Sequence, residues 1–223
     1  MKPDQKPPKS INQTASKTPL SEIGEFALIR RLTALAPPLA DRRITGPGDD
    51  CAVIAAELLA PGGADTRLLV TTDSLIENRH FRLDYSSFFD VGWKSLAVSL
   101  SDIAAMGGTA IGAVLSLHLP SSLAVEDLEE LYRGIYALAR HHGVLILGGD
   151  TVLAKEFAVC LTAFGTTAGE PIRRSGALPG DELWLSGEVG GAGAGLELLK
   201  QGGSLDDCAK SILLRHQRPE PRL

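Results

Sequence analysis

Residues 67–73, Arg-Leu-Leu-Val-Thr-Thr-Asp, form an apolar run that closes on two threonines and an aspartate. Such a short run, rich in apolar and β-branched residues, predicts a β-strand. A long helical pattern follows from Phe88 to about Met106 and stops at Gly107-Gly108. A strand that leads into a helix is the unit from which α/β folds are built.

The same alternation continues on both sides of this unit. Downstream, Ile111 to Leu119 predicts a strand, and Val125 to His142 predicts an amphipathic helix that ends at Gly143. Val144 to Leu147 predicts a short apolar strand leading into Gly148-Gly149-Asp150, and Phe157 to Gly165 predicts another strand.

Upstream, the sequence divides into a polar tail and the start of the fold. Residues 1–20 are rich in Lys, Pro, Ser and Thr and lack an apolar core, which predicts a disordered tail rather than a signal peptide. A helical pattern begins at Ser21 and ends at Pro37-Pro38, and Cys51 to Ala55 predicts a strand.

The composition shifts to Gly, Pro and Arg between Ala168 and Gly180, which predicts a domain boundary. We therefore expect an α/β (α+β) domain over 21–167 and the incomplete start of a second α/β domain over 168–223. In the second domain, Glu182 to Ser186 predicts a strand, and a helix follows from about Leu196.

Composition excludes several classes of protein. The chain has 223 residues and a net charge of −5, which argues against a nucleic-acid or membrane-surface role. No run approaches the roughly 18 apolar residues of a membrane span. The three cysteines, Cys51, Cys160 and Cys208, form no Cys-x-x-Cys pair, which suits a reducing cytoplasm.

Four acidic positions share one context, because each is expected at the end of a strand or in a tight glycine-flanked segment: Asp49-Asp50, Asp73, Asp102 and Asp150. Aspartates in such places collect on one rim of an α/β sheet. Oxygen ligands select hard cations such as Mg²⁺, and Thr71 and Thr72 could add hydroxyl or carbonyl ligands. The alternative for each single aspartate is turn and capping chemistry.

Several familiar catalytic motifs are absent. The chain has no P-loop and no Gly-x-Ser-x-Gly elbow, which leaves those two classes unsupported. The run Gly190 to Gly195 fails the dinucleotide pattern and predicts a tight connection into a helix. Its backbone N–H groups could alternatively bind a phosphate.

Six segments, in this order, resemble the thiamine-monophosphate kinase family, within the superfamily of aminoimidazole ribonucleotide synthetase and selenophosphate synthetase. They are Gly24-Glu-Phe26, Gly48-Asp-Asp-Cys-Ala-Val53, Thr71-Thr-Asp-Ser-Leu75 with His80-Phe81, Trp93 to Gly107, Gly148-Gly-Asp-Thr151 and Arg174-Ser-Gly-Ala-Leu-Pro-Gly-Asp181. The resemblance implies a mixed-sheet N-terminal domain that forms a homodimer through its sheet. It also implies ATP-dependent phosphorylation of thiamine monophosphate, with several Mg²⁺ ions and no general acid or base.

The resemblance also implies roles for individual residues. The implied metal ligands are Asp50, Thr71, Thr72, Asp73, Asp102 and Asp150. The implied ATP contacts are Tyr132, Gly149, Asp150 and Arg174. His80 is implied to contact thiamine monophosphate. The alternatives without a binding role are a structural histidine for His80, a core position for Tyr132 and a solvated loop position for Arg174.

Two departures from the family pattern bear on activity. Asn78-Arg79 stands where the family usually has glycine and a small apolar residue, so we expect a reshaped substrate loop. The sequence also stops before the part of the second domain expected to grip the thiamine end. We therefore expect weak nucleotide binding without enzymatic turnover. The alternatives are another superfamily member with a different acceptor, or a non-catalytic nucleotide-binding dimerisation module.

Overall fold

The computed structural model describes residues 44–45, 52–55, 65–202 and 207–223, all within one compact unit. The predicted tail, the helix predicted from Ser21 and the Asp49-Asp50 pair lie outside the described residues. Within those described ranges, none of the helices combines the length and the apolar character needed to cross a membrane.

Within the described residues, six strands form one mixed sheet. The strands are β1 (Ile44–Thr45), β2 (Ala52–Ala55), β3 (Thr66–Ile76), β4 (Thr109–Leu119), β5 (Leu145–Leu153) and β6 (Ala158–Ala168). Their order across the sheet is β1-β2-β3-β6-β4-β5. All neighbours are antiparallel except β4 and β5, which run parallel because a helix connects them. The predicted mixed-sheet α/β fold is confirmed.

Four helices lie in the described part of the chain: α1 (Phe88–Ala105), α2 (Val125–His142), α3 (Gly191–Gln201) and α4 (Asp207–Gln217). Helix α1 lies across β3 and β6, and α2 packs on α1. Ser87 begins α1 with a reciprocal capping box to Asp90. Gly143 ends α2 at φ 68°, a left-handed conformation that favours glycine.

The two long helices meet with their backbones nearly in contact. A Cβ added at Gly92 would lie 2.0 Å from the Leu131 carbonyl oxygen, and one at Gly134 would lie 2.0 Å from the Phe89 carbonyl oxygen. Each helix therefore presents a glycine to the other's backbone. The apolar side chains around this crossing and the inner face of the sheet form the buried core.

Most predicted elements are confirmed, but all four of the strands β3 to β6 are longer than the sequence indicated. The differences are largest in β3, which runs from Thr66 to Ile76, and in β5, which continues through Gly148-Gly149-Asp150. Pairing along most of β6 and β4 explains both extensions, since backbone hydrogen bonds to a neighbouring strand override local turn preference.

The strand predicted at Glu182 to Ser186 is wrong. These residues have no regular secondary structure, and Leu183 and Trp184 are 101% and 84% exposed. A strand needs a neighbour for its N–H and C=O groups, and none of the described strands pairs with this segment. The predicted boundary near Ala168 stays a prediction.

The residues after α4 lie against the long helices. Trp93 Nε1 donates to the Pro219 carbonyl oxygen at 3.0 Å. Arg218 forms an ion pair with the nearly buried Asp90 carboxylate and stacks over the Phe89 ring at 4.5 Å. We call residues 218–223 the docked segment.

Candidate functional site

The site begins on the inner face of β3, where side chains alternate between the two faces of the sheet. Leu69, Thr71 and Leu75 are buried against the helices, and Asp73 lies on the same face. Thr72 and Ser74 point to the opposite face of the sheet, away from the helices, and are exposed. We call this the open face. β3 therefore carries one hydroxyl and one carboxylate toward α1.

Helix α1 supplies the other half of this cluster. The Thr71 hydroxyl donates to Asp102 Oδ2 at 2.6 Å, and the Ser99 hydroxyl donates to Asp73 Oδ2 at 3.1 Å. Ser99 and Asp102 are three residues apart and so share one face of the helix. We call Thr71, Asp73, Ser99 and Asp102 the acidic cluster.

The electrostatics of the cluster favour a bound cation. Burial raises the pKa of the Asp102 carboxyl above its ordinary value, the hydrogen bond from Thr71 opposes this rise, and the nearby Asp73 carboxylate adds to it. Two neighbouring carboxylates, one of them half-buried, carry a charge that a cation would neutralise. All the donors are oxygens, and this ligand set suits Mg²⁺ rather than zinc.

The remaining predicted ligands do not join this cluster within one chain. The Thr72 hydroxyl lies on the open face and accepts from Thr162 at 3.0 Å. Asp150 on β5 is exposed and pairs in register with Ser116 on β4. Its side chain is therefore also on the open face. In register, Asp73 is level with Gly149 across two intervening strands, a separation of about 14 Å at ~4.8 Å per strand. One ion cannot bind both Asp73 and Asp150 of the same chain.

Three of these positions also differ from the predicted local context. Asp73 lies inside β3 and Asp102 lies inside α1, so the expectation of a strand end or a tight glycine-flanked segment is wrong for both. Asp150 lies inside β5. The inner cluster arises from a strand packing against a helix, which sequence spacing alone does not reveal. Asp50 lies outside the described residues.

Gly149 has a structural reason to be glycine. A Cβ at this position would lie 2.1 Å from the Leu115 carbonyl oxygen on β4. The backbone of β5 can approach β4 only because this residue has no side chain. This close approach accounts for the glycine without a ligand, so the predicted ATP contact at Gly149 stays a prediction.

His80 lies in the exposed loop after β3. The Ile76 backbone N–H donates to His80 Nδ1 at 3.0 Å, so a neutral imidazole carries its proton on Nε2, facing outward. Asn78 adopts φ 61°. Asparagine tolerates this left-handed conformation best after glycine, so the departure from the family's glycine keeps a conformation that glycine also favours.

Sequence reasoning missed two residues near these sites. Ser99 holds Asp73, and its helical spacing to Asp102 was the available signal. Lys94 Nζ lies 3.4 Å from the His80 carbonyl oxygen, and burial lowers the pKa of this ammonium. Nothing in the local sequence of Lys94 marks this proximity, because the loop reaches it through the fold.

Tyr132 and Arg174 lie on parts of the chain other than β3 and α1, which carry the acidic cluster. Tyr132 packs against the core on α2, with its ring centroid 5.9 Å from that of Tyr136. Burial, and then Tyr136, raise the pKa of the Tyr132 phenol. Arg174 is exposed in the irregular stretch after β6. Their roles as ATP contacts stay predictions.

Comparison with known proteins identifies one family model. The model described as "AIR synthase related protein, N-terminal domain" matches residues 48–167. These residues contain β3, α1, β4, α2 and β5, and therefore the whole acidic cluster.

Individual relatives agree with one another. The chain is 37% identical over 209 residues to the thiamine-monophosphate kinase of Mycobacterium tuberculosis, covering 93% of this chain and 60% of the relative. It is 37% identical over 183 residues to that of Bacillus subtilis, covering 80% and 54%. This chain therefore spans less than two thirds of the length of these relatives.

A solved structure, AaThiL complexed with AMPPCP and TMP, matches with a TM-score of 0.81 and 32% identity. The match covers 93% of this chain and 63% of the other. The thiamine-monophosphate kinase resemblance noted from the sequence motifs is thereby confirmed at the level of the fold.

Proposed function

Because the chain belongs to the AIR synthase related family, we propose that it carries the Mg²⁺–ATP portion of an enzyme that phosphorylates thiamine monophosphate to thiamine diphosphate. Its relatives in Mycobacterium and Bacillus are named thiamine-monophosphate kinases. The similar AaThiL structure is described as a complex with AMPPCP and TMP. The observation that carries the proposal is the acidic cluster.

The acidic cluster fits the charge problem of this reaction. Two polyanions, the ATP triphosphate and the acceptor phosphate, must approach in line, and Mg²⁺ when bound neutralises and orients the phosphates. Asp73 and Asp102 would hold the ion, and Thr71 and Ser99 fix the positions of these two carboxylates. The proposed ligand set for the several Mg²⁺ ions also includes Asp50, Asp150 and the carbonyl oxygen of Thr72.

The acceptor needs no strong base. A phosphate monoester has a second pKa of about 6, so thiamine monophosphate is largely ionised at neutral pH. We propose direct transfer without a phospho-enzyme, and we assign no general acid or base. His80, with its outward Nε2–H and the Lys94 ammonium nearby, provides donors for an anionic acceptor. Tyr132, Gly149, Asp150 and Arg174 are the proposed ATP contacts.

We further propose a homodimer through the open face of the sheet. Polar contacts on this face include Ser74 to Cys160 at 3.1 Å, and half-buried Val114 and Phe164 lie beside them. The edge strand β5 adds exposed leucines, with Leu145 and Leu147 each 59% exposed. An uncovered apolar edge is a pairing surface.

Asp150 would hold a different Mg²⁺ ion from the one at the acidic cluster. Within one chain Asp150 lies on the face opposite Asp73 and about three strand spacings away. The acidic cluster faces α1, so a second copy paired across the open face would also leave its Asp150 on the far side of the sheet. We propose that Asp150 takes part through another of the several Mg²⁺ ions.

A second candidate function is a nucleotide-binding dimerisation module without turnover. The chain spans 60% of the Mycobacterium relative, and we propose that part of the acceptor's contacts belongs to the portion of such relatives that this chain does not match. Positioning contributes about 7–11 kcal/mol of barrier lowering in favourable cases. We expect turnover by this chain alone to be slow for that reason. Free Cys160 and Cys208 suit the reducing cytoplasm, where we place the protein.

The test measures thiamine diphosphate formation from ATP, Mg²⁺ and thiamine monophosphate, alongside Mg²⁺–ATP binding. Asp73→Asn is the test variant, and Asp84→Asn, an exposed carboxylate paired with Arg82, is the matched control. Product that is lost only in Asp73→Asn supports the kinase. Binding without product supports the module. Absence of Mg²⁺-dependent binding in the native chain contradicts both.

The dimer is tested by light scattering at micromolar concentration. The native chain should give twice the monomer mass, and Phe164→Lys on the open face should shift it toward the monomer. Ser121→Lys, at an exposed turn outside the sheet, should not. A monomeric native chain would contradict pairing through the sheet.

A further inference from the structure

A compact group of metal-binding side chains lies at the end of α2, away from the acidic cluster. His141 and His142 are the last two residues of this helix, and Glu220 belongs to the docked segment. One ring nitrogen from each histidine and a Glu220 carboxylate oxygen all lie within 4.8 Å of one another. Residues nearly 80 positions apart thus present three ligand atoms to one point.

The distances match the geometry of a tetrahedral metal site. Glu220 Oε1 lies 3.2 Å from His142 Nε2 and 3.6 Å from His141 Nε2. Two ligands bound tetrahedrally at about 2.1 Å from one ion are about 3.4 Å apart. An ion can therefore enter between these atoms with only small side-chain adjustments.

The chemistry of the ligands selects the type of ion. Two imidazoles and one carboxylate suit Zn²⁺ and similar transition metals, whereas Mg²⁺ prefers oxygen ligands alone. The C-terminal end of a helix carries the negative end of the helix dipole, which favours a cation at this position. The set also leaves a fourth position for water.

We propose that His141, His142 and Glu220 bind one divalent transition-metal ion, Zn²⁺ or a metal of similar preference. The ion fastens the docked segment to the end of α2. It adds to the contacts of Trp93 with Pro219 and of Arg218 with Asp90, which already hold this segment. The position of the chain beyond α4 thereby becomes dependent on metal.

The test is a Zn²⁺ titration of the tag-free chain by calorimetry in excess Mg²⁺, which saturates the acidic cluster. We expect one Zn²⁺ per chain. His142→Ala and Glu220→Gln should each weaken binding at least about tenfold. Glu220→Gln keeps a hydrogen-bonding side chain but removes the anionic ligand. His118→Ala on β4 and Glu126→Gln, at the other end of α2, are matched controls that should leave affinity unchanged.

Two further readouts separate a built site from loose association. Co²⁺ should give the visible absorption of a tetrahedral site in the native chain and not in Glu220→Gln. Zn²⁺ should slow hydrogen exchange in residues 218–223 in the native chain and leave it unchanged in both test variants. Equal Zn²⁺ affinity in the native chain and in both test variants would overturn the proposal, as would exchange unaffected by metal.

Discussion

Two apolar stretches of this chain have opposite fates. Residues 67–70 are paired on both edges within β3, residues 71–73 are paired with β6, and Leu69 is completely buried. Residues 182–186, Glu-Leu-Trp-Leu-Ser, have a comparable strand-like pattern, yet Leu183 and Trp184 are almost fully exposed. The difference lies in neighbours, because a strand is stable only when another strand receives its backbone hydrogen bonds.

The docked segment stands between these extremes. It has no regular secondary structure, but Pro221 is buried and two side chains of α1 hold its neighbours. Specific side-chain contacts therefore order a stretch that belongs to no sheet. Substitutions should therefore remove most stability at the helix crossing, less at the docked segment and least at residues 182–186.

The largest effect is expected at the helix crossing. Gly92→Ala places a Cβ 2.0 Å from the Leu131 carbonyl oxygen, so the two helices must separate. We expect a loss of about 3 kcal/mol or more in the free energy of unfolding, measured by urea denaturation. Gly193→Ala in α3 is the control, since its Cβ meets open space and the helix should gain about 1 kcal/mol. Equal effects at both glycines would contradict the packing.

A smaller effect is expected at the docked segment. Arg218→Ala removes the partner of the nearly buried Asp90 carboxylate and the stacking on Phe89. We expect a loss of about 1–2 kcal/mol and faster hydrogen exchange confined to the residues after α4. Arg133→Ala, an exposed arginine paired only within α2, should cost well under 1 kcal/mol. Exchange that rises across the sheet would show that the segment is part of the core.

Substitutions in the exposed residues 182–186 should have almost no effect on the free energy of unfolding. Trp184→Ser removes a side chain that covers little of the protein, so unfolding should change by less than about 0.5 kcal/mol. Limited proteolysis of the native chain should cut within residues 181–190 before it cuts within 66–168. A stability loss comparable to that of Arg218→Ala would mean that Trp184 is packed in solution.

The Asp102→Asn variant tests whether the Asp102 carboxylate contributes to stability or is present to bind a ligand. A carboxyl with a raised pKa binds its proton more tightly when folded, so its charged form disfavours folding at pH above that pKa. Asp102→Asn removes that cost and still accepts the Thr71 hydrogen bond. Without divalent ions at pH 7, its unfolding midpoint should equal or exceed that of the native chain. A clear decrease would assign Asp102 a structural role instead.

Local pattern predicted the elements well wherever partners were available. The spacing of apolar residues placed α1 and α2 to within one residue, because these helices bury one continuous face. Strand lengths were underestimated at Asp73 and Asp150, since pairing with β6 and β4 carries each strand past its polar residues. The strand prediction for residues 182–186 failed because none of the described strands pairs with them.

The sequence identified the residues of the candidate site, but it did not reveal which of their side chains lie together. The aspartates and threonines were found from their chemistry, and the resemblance gave them roles. That Asp102 meets Thr71 while Asp150 lies on the other face depends on side-chain direction within a folded sheet. Lys94 reaches the His80 carbonyl oxygen only through tertiary contacts, whereas Ser99 had one sequence signal in its helical spacing to Asp102.

The most direct test of the acidic cluster is a calorimetric titration of AMPPCP into the chain, with and without Mg²⁺. The native chain and Asp84→Asn should bind the nucleotide only when Mg²⁺ is present. Asp102→Asn, which should remain folded, should bind at least about tenfold more weakly. Equal affinity in Asp102→Asn and the native chain at the same Mg²⁺ concentration would contradict the assignment of this cluster as the Mg²⁺–nucleotide site.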